Sequence, residues 1–234
     1  MSKNSDEITK WPERAPHRSL FNSMGISDDE LDKPIIGIAN SWNELVPGHV
    51  HLDKLAEKVK EGISDHGGLG LEFNTIALCD GIAMGHDGME TPLPSREIIA
   101  DSIELTTQAY KFDGLVLIAN CDKIEPGMIM GALRTNIPTI VLTGGPMLPG
   151  KHRGKKQDYS TVIEAVSQYK QGEITENELN EIQHKACPGP GSCAGMFTAN
   201  TMASAIETMG LSLPKDATTH AETDKKKKQA YRTG

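Results

Sequence analysis

Aromatic side chains make up only 4% of the 234 residues, so a core here has to be built from Ile, Leu, Val, Met and Ala. No apolar run approaches the roughly 20 residues that a membrane-spanning helix needs. Positive charge is in the minority, 24 Lys and Arg against 32 Asp and Glu, for a net charge of -8. No basic face stands out, which argues against a nucleic-acid partner. The opening residues, Met1 to Glu7, are polar and acidic with no apolar segment behind them. They do not read as a secretory signal. That reading places the chain in the cytoplasm, with no membrane partner. There its four cysteines, Cys79, Cys121, Cys187 and Cys193, serve as thiols, metal ligands or catalytic groups rather than disulfides. Their spacing matches neither a zinc finger nor a ferredoxin run. A phosphate-binding loop of the nucleotide triphosphatase type is missing. Gly67-Gly68-Leu69-Gly70 lacks the strand-before, helix-after setting of a dinucleotide fingerprint. No internal repeat or low-complexity segment appears.

What is present is an ordinary globular balance of 37% hydrophobic and 24% charged residues. Residues 1–33 read as a polar lead-in with a few apolar anchors, Leu20, Phe21 and Met24, and residues 34–234 as an α/β domain. Expected strands are 34–39, 74–79, 114–119 and 137–143, each a nearly continuous apolar run. Expected helices are 51–63, 95–110, 126–133, a segment from the Asp158 cap to Tyr169, one opened by a Thr175/Glu178 capping box, and 194–209. Residues 147–157 read as a basic loop, and Lys225–Lys228 as a solvated helix face or a frayed end. Strands alternating with helices predict a three-layer α/β/α sandwich around a mostly parallel sheet. All strand C-termini then share one edge, where open sheets bind ligands.

The residues with chemistry fall at those expected strand ends. Cys121-Asp122-Lys123 follows one strand and Cys79-Asp80-Gly81 follows another. If the two strands are neighbours, two Cys-Asp pairs meet and suggest a metal or cluster centre. Taken singly, a cysteine after a strand reads more often as a small buried residue. Cys187 and Cys193 bound a glycine- and proline-rich loop. Thiolates favour iron–sulfur, zinc or copper and carboxylates favour magnesium, so the chain offers both a soft and a hard ligand set. That combination suits a dehydratase. Of the histidines, His49, His51 and His86 are metal candidates only, and His51 reads better as the start of a helix.

Several stretches carry a family resemblance. They include Pro47-Gly48-His49-Val50-His51-Leu52, Cys79-Asp80-Gly81-Ile82-Ala83-Met84-Gly85-His86, Leu93-Pro94-Ser95-Arg96-Glu97, Asn120-Cys121-Asp122-Lys123, Thr143-Gly144-Gly145-Pro146-Met147 and Gly191-Ser192-Cys193-Ala194-Gly195-Met196. In this order they resemble the dihydroxy-acid and sugar-acid dehydratases, over residues 14–234, and within that family the branch of branched-chain amino-acid synthesis.

The resemblance implies a hydro-lyase that converts a small 2,3-dihydroxy acid to a 2-keto acid. It implies that Cys121 and Cys193 ligate an iron–sulfur cluster, and that Asp80, Asp122 and a carbamylated Lys123 bind Mg2+. Members with a 2Fe-2S cluster have a cysteine where this chain has Gly48. Cys79 then becomes the third ligand and the cluster 4Fe-4S; the alternative is a 2Fe-2S cluster of unusual ligation with Cys79 merely buried. Cys187 reads as a loop residue. The family works as a homodimer, with a serine base and a glutamate magnesium ligand in a C-terminal, β-barrel-like domain. This chain resembles only the N-terminal part, so it is expected to build much of the sheet without a competent site. A sugar-acid dehydratase and a non-catalytic metal-binding domain are the alternatives.

Overall fold

A computed structural model describes residues 2–234. In chain order the elements are α1 (Asp6–Thr9), α2 (Ala15–Ser23), α3 (Asp28–Leu31), β1 (Ile35–Asn40), α4 (Leu52–Asp65), β2 (Leu69–Asn74), α5 (Asp80–Ala83), α6 (Pro92–Tyr110), β3 (Gly114–Ala119) and α7 (Ile124–Thr135). They continue with β4 (Thr139–Thr143), β5 (Gly150–His152), β6 (Lys155–Gln157), α8 (Tyr159–Lys170), α9 (Glu176–Ala186), α10 (Thr198–Thr208) and α11 (Asp224–Thr233). Four strands form one parallel sheet in the order β2-β1-β3-β4. β5 and β6 pair separately as a small antiparallel hairpin.

Both faces of the sheet are covered because the strands are apolar on both faces. Successive side chains of a strand point to opposite sides. Ile38, Val116, Ile118 and Leu142 accordingly pack under α4, whose Leu52, Leu55, Ala56, Val59 and Ile63 recur at helical spacing, with Ala230 of α11 beside them. Ile35, Leu115, Leu117 and Val141 pack on the other side with Ile99 and Ile103 of α6, Ile124 and Met128 of α7, and Ile206 of α10. β3, paired on both edges, is buried at every position. α6 and α7 lie against each other where α7 carries glycine: a Cβ on Gly131 would stand 2.9 Å from Ile103 Cβ. No helix among the described residues is long and apolar enough to cross a membrane.

The α/β/α arrangement and the helices at 52–65, 92–110 and 159–170 agree with the sequence reading; other details do not. The second strand is Leu69–Asn74, not 74–79, and it begins inside the Gly67-Gly68-Leu69-Gly70 run. Leu69, Leu71 and Phe73 alternate on one face of this edge strand, a signal that the more continuous 74–79 run obscured. Residues 75–79 leave the sheet, held by Thr75 N–H donating to the Asn40 carbonyl and Asn43 Nδ2 donating to that of Ala77. The strands preceding the two Cys-Asp pairs are not neighbours, since β1 lies between β2 and β3. Residues 147–157 contain the β5–β6 hairpin rather than only loop. Residues 194–197 stay outside the helix, which begins at Thr198. In the lead-in, Phe21 is buried while Leu20 and Met24 are exposed. Lys226, in the middle of the lysine run, is fully buried rather than solvated.

Candidate active site

The crevice follows from the strand order. The chain leaves β1 toward β2 on one side, then crosses to β3 on the other, which opens the sheet's C-terminal edge between β1 and β3. Asn120 closes the end of β3, and its Nδ2 donates to the carbonyls of both Gly48 and Gly145 at 2.9 Å. One side chain thus ties the loop after β1 to the loop after β4. Two histidines brace the same loop: His49 hydrogen-bonds the Ser41 carbonyl through Nδ1 (2.7 Å), and His51 that of Gly144 through Nε2 (2.9 Å). Burial drives the His49 pKa down to about 4, so its ring is neutral and Nδ1–H is the donor. His51 adjoins the N-terminus of α4, as expected.

A third loop docks on these two. Gly191 N–H donates to the Pro47 carbonyl, Ser192 N–H to that of Gly145, and Met147 N–H to that of Ser192. Gly191 has φ +132°, and a Cβ there would run into the Met147 backbone, so only glycine lets the loop sit this close. Cys193 follows directly, its carbonyl held by Asn200 Nδ2 at 2.7 Å.

Together the loops enclose a cavity of about 150 Å³ whose lining includes Gly48, Asp80, Asp122, Tyr159 and all four cysteines. Cys79, Cys121 and Cys193 are half-buried, and Cys187 is exposed. Gly48 stands so close to Cys121 that a Cβ on it would lie 3.3 Å from Cys121 Sγ. Burial pushes the Cys121 thiol up well beyond the usual range, and Cys79, Asp122 and Cys193 add to this. The Cys193 thiol is pushed up to about 11, by burial first and then by Asp122 and the other two nearby thiols. Left to themselves these groups keep their protons. A cationic metal centre among them is what converts such thiols to thiolates.

No three His, Cys, Asp or Glu side chains among the described residues converge tightly enough for a single metal ion. Thiols spread around the wall of one cavity fit a polynuclear cluster better than a mononuclear ion, whose donors must meet about 2.3 Å from one point.

Beside the thiols lie the hard groups. Asp80 opens α5, and its Oδ2 pairs with Lys123 Nζ at 2.5 Å, while its buried Oδ1 has no partner. Asp122 Oδ1 accepts the Ala199 N–H. Burial raises the Asp122 carboxyl, and repulsion from Asp80 raises it further. Two carboxylates repelling each other, one with an unused oxygen, fit a divalent cation. The structure thus brings Cys79, Asp80, Cys121, Asp122, Lys123 and Cys193 together, although Cys79 and Asp80 arrive from a connecting segment rather than a strand end. His86, on the same connection, is exposed and turned back onto the Ile82 carbonyl.

Tyr159 escaped the sequence reading. It stands among Cys193, Cys79 and Cys187, with its hydroxyl donating to the Gly81 carbonyl at 3.1 Å. Its only sequence cue was its place just after the Asp158 cap. Glu125 escaped too: it is buried, neither carboxylate oxygen has a partner, and burial together with Asp216 raises its carboxyl well beyond the ordinary range.

Residues 33–234 match the family described as dihydroxy-acid/6-phosphogluconate dehydratase, N-terminal. A protein named dihydroxy-acid dehydratase from Methanococcus aeolicus is 60% identical over 230 residues, 98% of this chain and 42% of that protein. Its namesake from Methanobrevibacter smithii is 57% identical with the same coverage of each chain. The one from Pyrococcus abyssi is 59% identical over 217 residues, 93% of this chain and 39% of its own length. The chain therefore spans about two-fifths of the length of these relatives. It belongs to the dihydroxy-acid/6-phosphogluconate dehydratase family, of which it represents the N-terminal portion.

Proposed function

We propose that this chain is the cluster-bearing N-terminal part of a dihydroxy-acid dehydratase. The whole protein takes 2,3-dihydroxy-3-methylbutanoate and its 3-methylpentanoate homologue to 2-keto acids and water, in valine and isoleucine synthesis. The observation that carries the reading is the single cavity shared by Cys79-Asp80, Cys121-Asp122 and Cys193. Cys79, Cys121 and Cys193 hold an iron–sulfur cluster of the 4Fe-4S type. Asp80 and Asp122 hold Mg2+ with Lys123. When bound, the cluster supplies a Lewis acid for the departing C3 hydroxyl and the magnesium a counter-charge for the substrate carboxylate.

The chain's own residues set this up. As an ammonium, Lys123 neutralises Asp80 and cannot ligate a cation. Its neutral amine, on adding carbon dioxide and losing a proton, becomes a carbamate. The positive charge is then replaced by an oxygen anion beside two carboxylates. Asp80 Oδ1, already without a partner, becomes available as a donor. The Gly48 and Gly191 backbones form part of the wall and Tyr159 holds Gly81, which shapes a small enclosed space for a small acid. The serine base and the remaining magnesium ligand belong to a C-terminal domain, and the whole protein works as a homodimer in the cytoplasm, with residues 1–33 leading into an incomplete catalytic domain at 34–234.

The test is anaerobic purification of the complete protein, with iron and sulfide counted per chain and turnover measured on 2,3-dihydroxyisovalerate and on sugar acids such as gluconate 6-phosphate. A brown protein that dehydrates the branched acid is expected, whereas residues 1–234 alone should not turn over. A colourless, iron-free protein would sink the reading, and preference for the sugar acids would replace its substrate.

A further inference from the structure

We propose that Tyr159 is a positioning residue for the magnesium site: its hydroxyl, by holding the Gly81 carbonyl, fixes Asp80 as a metal ligand. The proposal rests on the magnesium reading above and deepens it, by naming what keeps Asp80 in place.

Asp80 is supported unevenly along the chain. Before it, Thr75 N–H donates to the Asn40 carbonyl, Ser102 Oγ to Thr75 Oγ1, and Asn43 Nδ2 to the Ala77 carbonyl. After it, the chain is exposed from Met84 to Asp87, and His86 turns back onto the Ile82 carbonyl of its own turn. Among the described residues, one hydrogen bond joins the stretch 81–90 to another part of the chain. It runs from the Tyr159 hydroxyl to the Gly81 carbonyl at 3.1 Å. α5 has four residues, too few to support itself, and all its carbonyls belong to the last turn, where a helix leaves them without partners. Tyr159 supplies the partner for Gly81.

The mount of this strut is firm. Tyr159 is the first residue of α8, whose N-terminus is fixed by Asp158 Oδ1 accepting from Thr161 N–H and from the Ser160 hydroxyl. α8 in turn packs on α9. The tip of the ring is close to a thiol as well. A Cβ on Gly81 would stand 3.5 Å from Tyr159 Cζ, 3.6 Å from its Oη and 3.8 Å from Cys79 Sγ. Cys79 and Gly81 flank Asp80 in the chain, so the ring and its hydroxyl meet the segment on both sides of the carboxylate. The two parts of the side chain have separate duties: the ring flanks Cys79, and the hydroxyl holds Gly81.

The bond matters most in the carbamylated state. As an ammonium, Lys123 pairs with Asp80 Oδ2 and itself steadies the carboxylate. As a carbamate anion it no longer pairs with a carboxylate. Asp80 must then keep its place beside Asp122, which it repels, through its own backbone. Downstream of Asp80, that backbone depends on Tyr159.

The test compares wild type and Y159F as complete, anaerobically purified proteins carrying their cluster and freed of magnesium with EDTA. Phenylalanine keeps the ring and removes the hydroxyl. Mn2+, which takes the same oxygen ligands as magnesium, is titrated in and the free ion counted by EPR. Y159F should bind Mn2+ about tenfold more weakly, an effect usual for groups that orient a metal ligand, with iron and sulfide per chain unchanged. Turnover of 2,3-dihydroxyisovalerate should need correspondingly more magnesium to reach half its maximum. In the magnesium-free proteins, amide hydrogens of the peptide 80–86 should exchange faster in Y159F, a readout that involves no activity. Equal Mn2+ affinities, equal exchange, loss of the cluster in Y159F, or a lower maximum rate at an unchanged magnesium requirement each overturn the proposal alone. A wild type that binds no Mn2+ removes the underlying reading as well.

Discussion

Lys226 Nζ lies 2.7 Å from Asp216 Oδ1, and both side chains are fully buried. The same ammonium donates to the Asp216 carbonyl and to Thr143 Oγ1, while Asp216 Oδ2 accepts the Thr143 N–H at 2.8 Å. The pair ties α11 to the last residue of β4, immediately before Gly144 and Gly145 of the site.

Removing one partner strands the other. Lys226→Met should cost about 3–5 kcal/mol, because it leaves a carboxylate buried without its counter-charge. Urea denaturation at neutral pH measures this. Adding Asp216→Asn to the same protein should cost less than the sum of the two single changes. A loss below about 1 kcal/mol for the lysine change alone would mean that solvent reaches the pair.

His49 supplies a pH dependence with a definite sign. The unfolded chain protonates this imidazole near its ordinary value of 6.5, whereas the folded chain does so only near 4. The unfolded state therefore holds more protons between those values, and stability falls as the pH drops from 6.5 toward 4. The full effect amounts to about 3 kcal/mol. His49→Asn, which can still donate to the Ser41 carbonyl, should flatten that slope. Thermal midpoints across the pH range give the answer, and parallel profiles for the two proteins would count against a neutral buried ring.

Gly48 faces Cys121 at a distance that invites a second thiol. With a Cβ 3.3 Å from Cys121 Sγ, Gly48→Cys in the cluster-free protein should form a disulfide with Cys121 under mild oxidation. Thiol titration and intact mass would show two thiols lost of the five then present, four native plus the new one. Peptide mapping should join positions 48 and 121. Five titratable thiols after oxidation would show that the two side chains point apart.

The sheet could be read from β1, β3 and β4 because buried parallel strands are apolar throughout. β2 was misplaced because an edge strand is only half-buried, and its alternating Leu69, Leu71 and Phe73 are broken by glycine and glutamate. The site residues were recognisable as a set from their motifs, but not their route into the site. Asp80 reaches Lys123 through a connection outside the sheet, a path fixed by Asn43 and Thr75 that no local pattern encodes. Lys226 looked like one of four solvated lysines, since composition cannot register an aspartate ten residues earlier folding back onto it. Tyr159 carries no such signal, and Cys187 reads only as a loop residue, because proximity in space, not spacing along the chain, brings them to the cavity.

The hydrogen bond from Met147 to Ser192 has a consequence for how such a protein can vary. The chain departs from the sheet edge at one point and returns to it at the same point, having made the hairpin, α8 and α9 in between. That excursion is a closed detour whose two ends are already joined. Lengthening it costs little in closure entropy and leaves the anchored thiol unmoved. The detour can be reshaped without rebuilding the sheet, provided Tyr159 keeps its grip on Gly81.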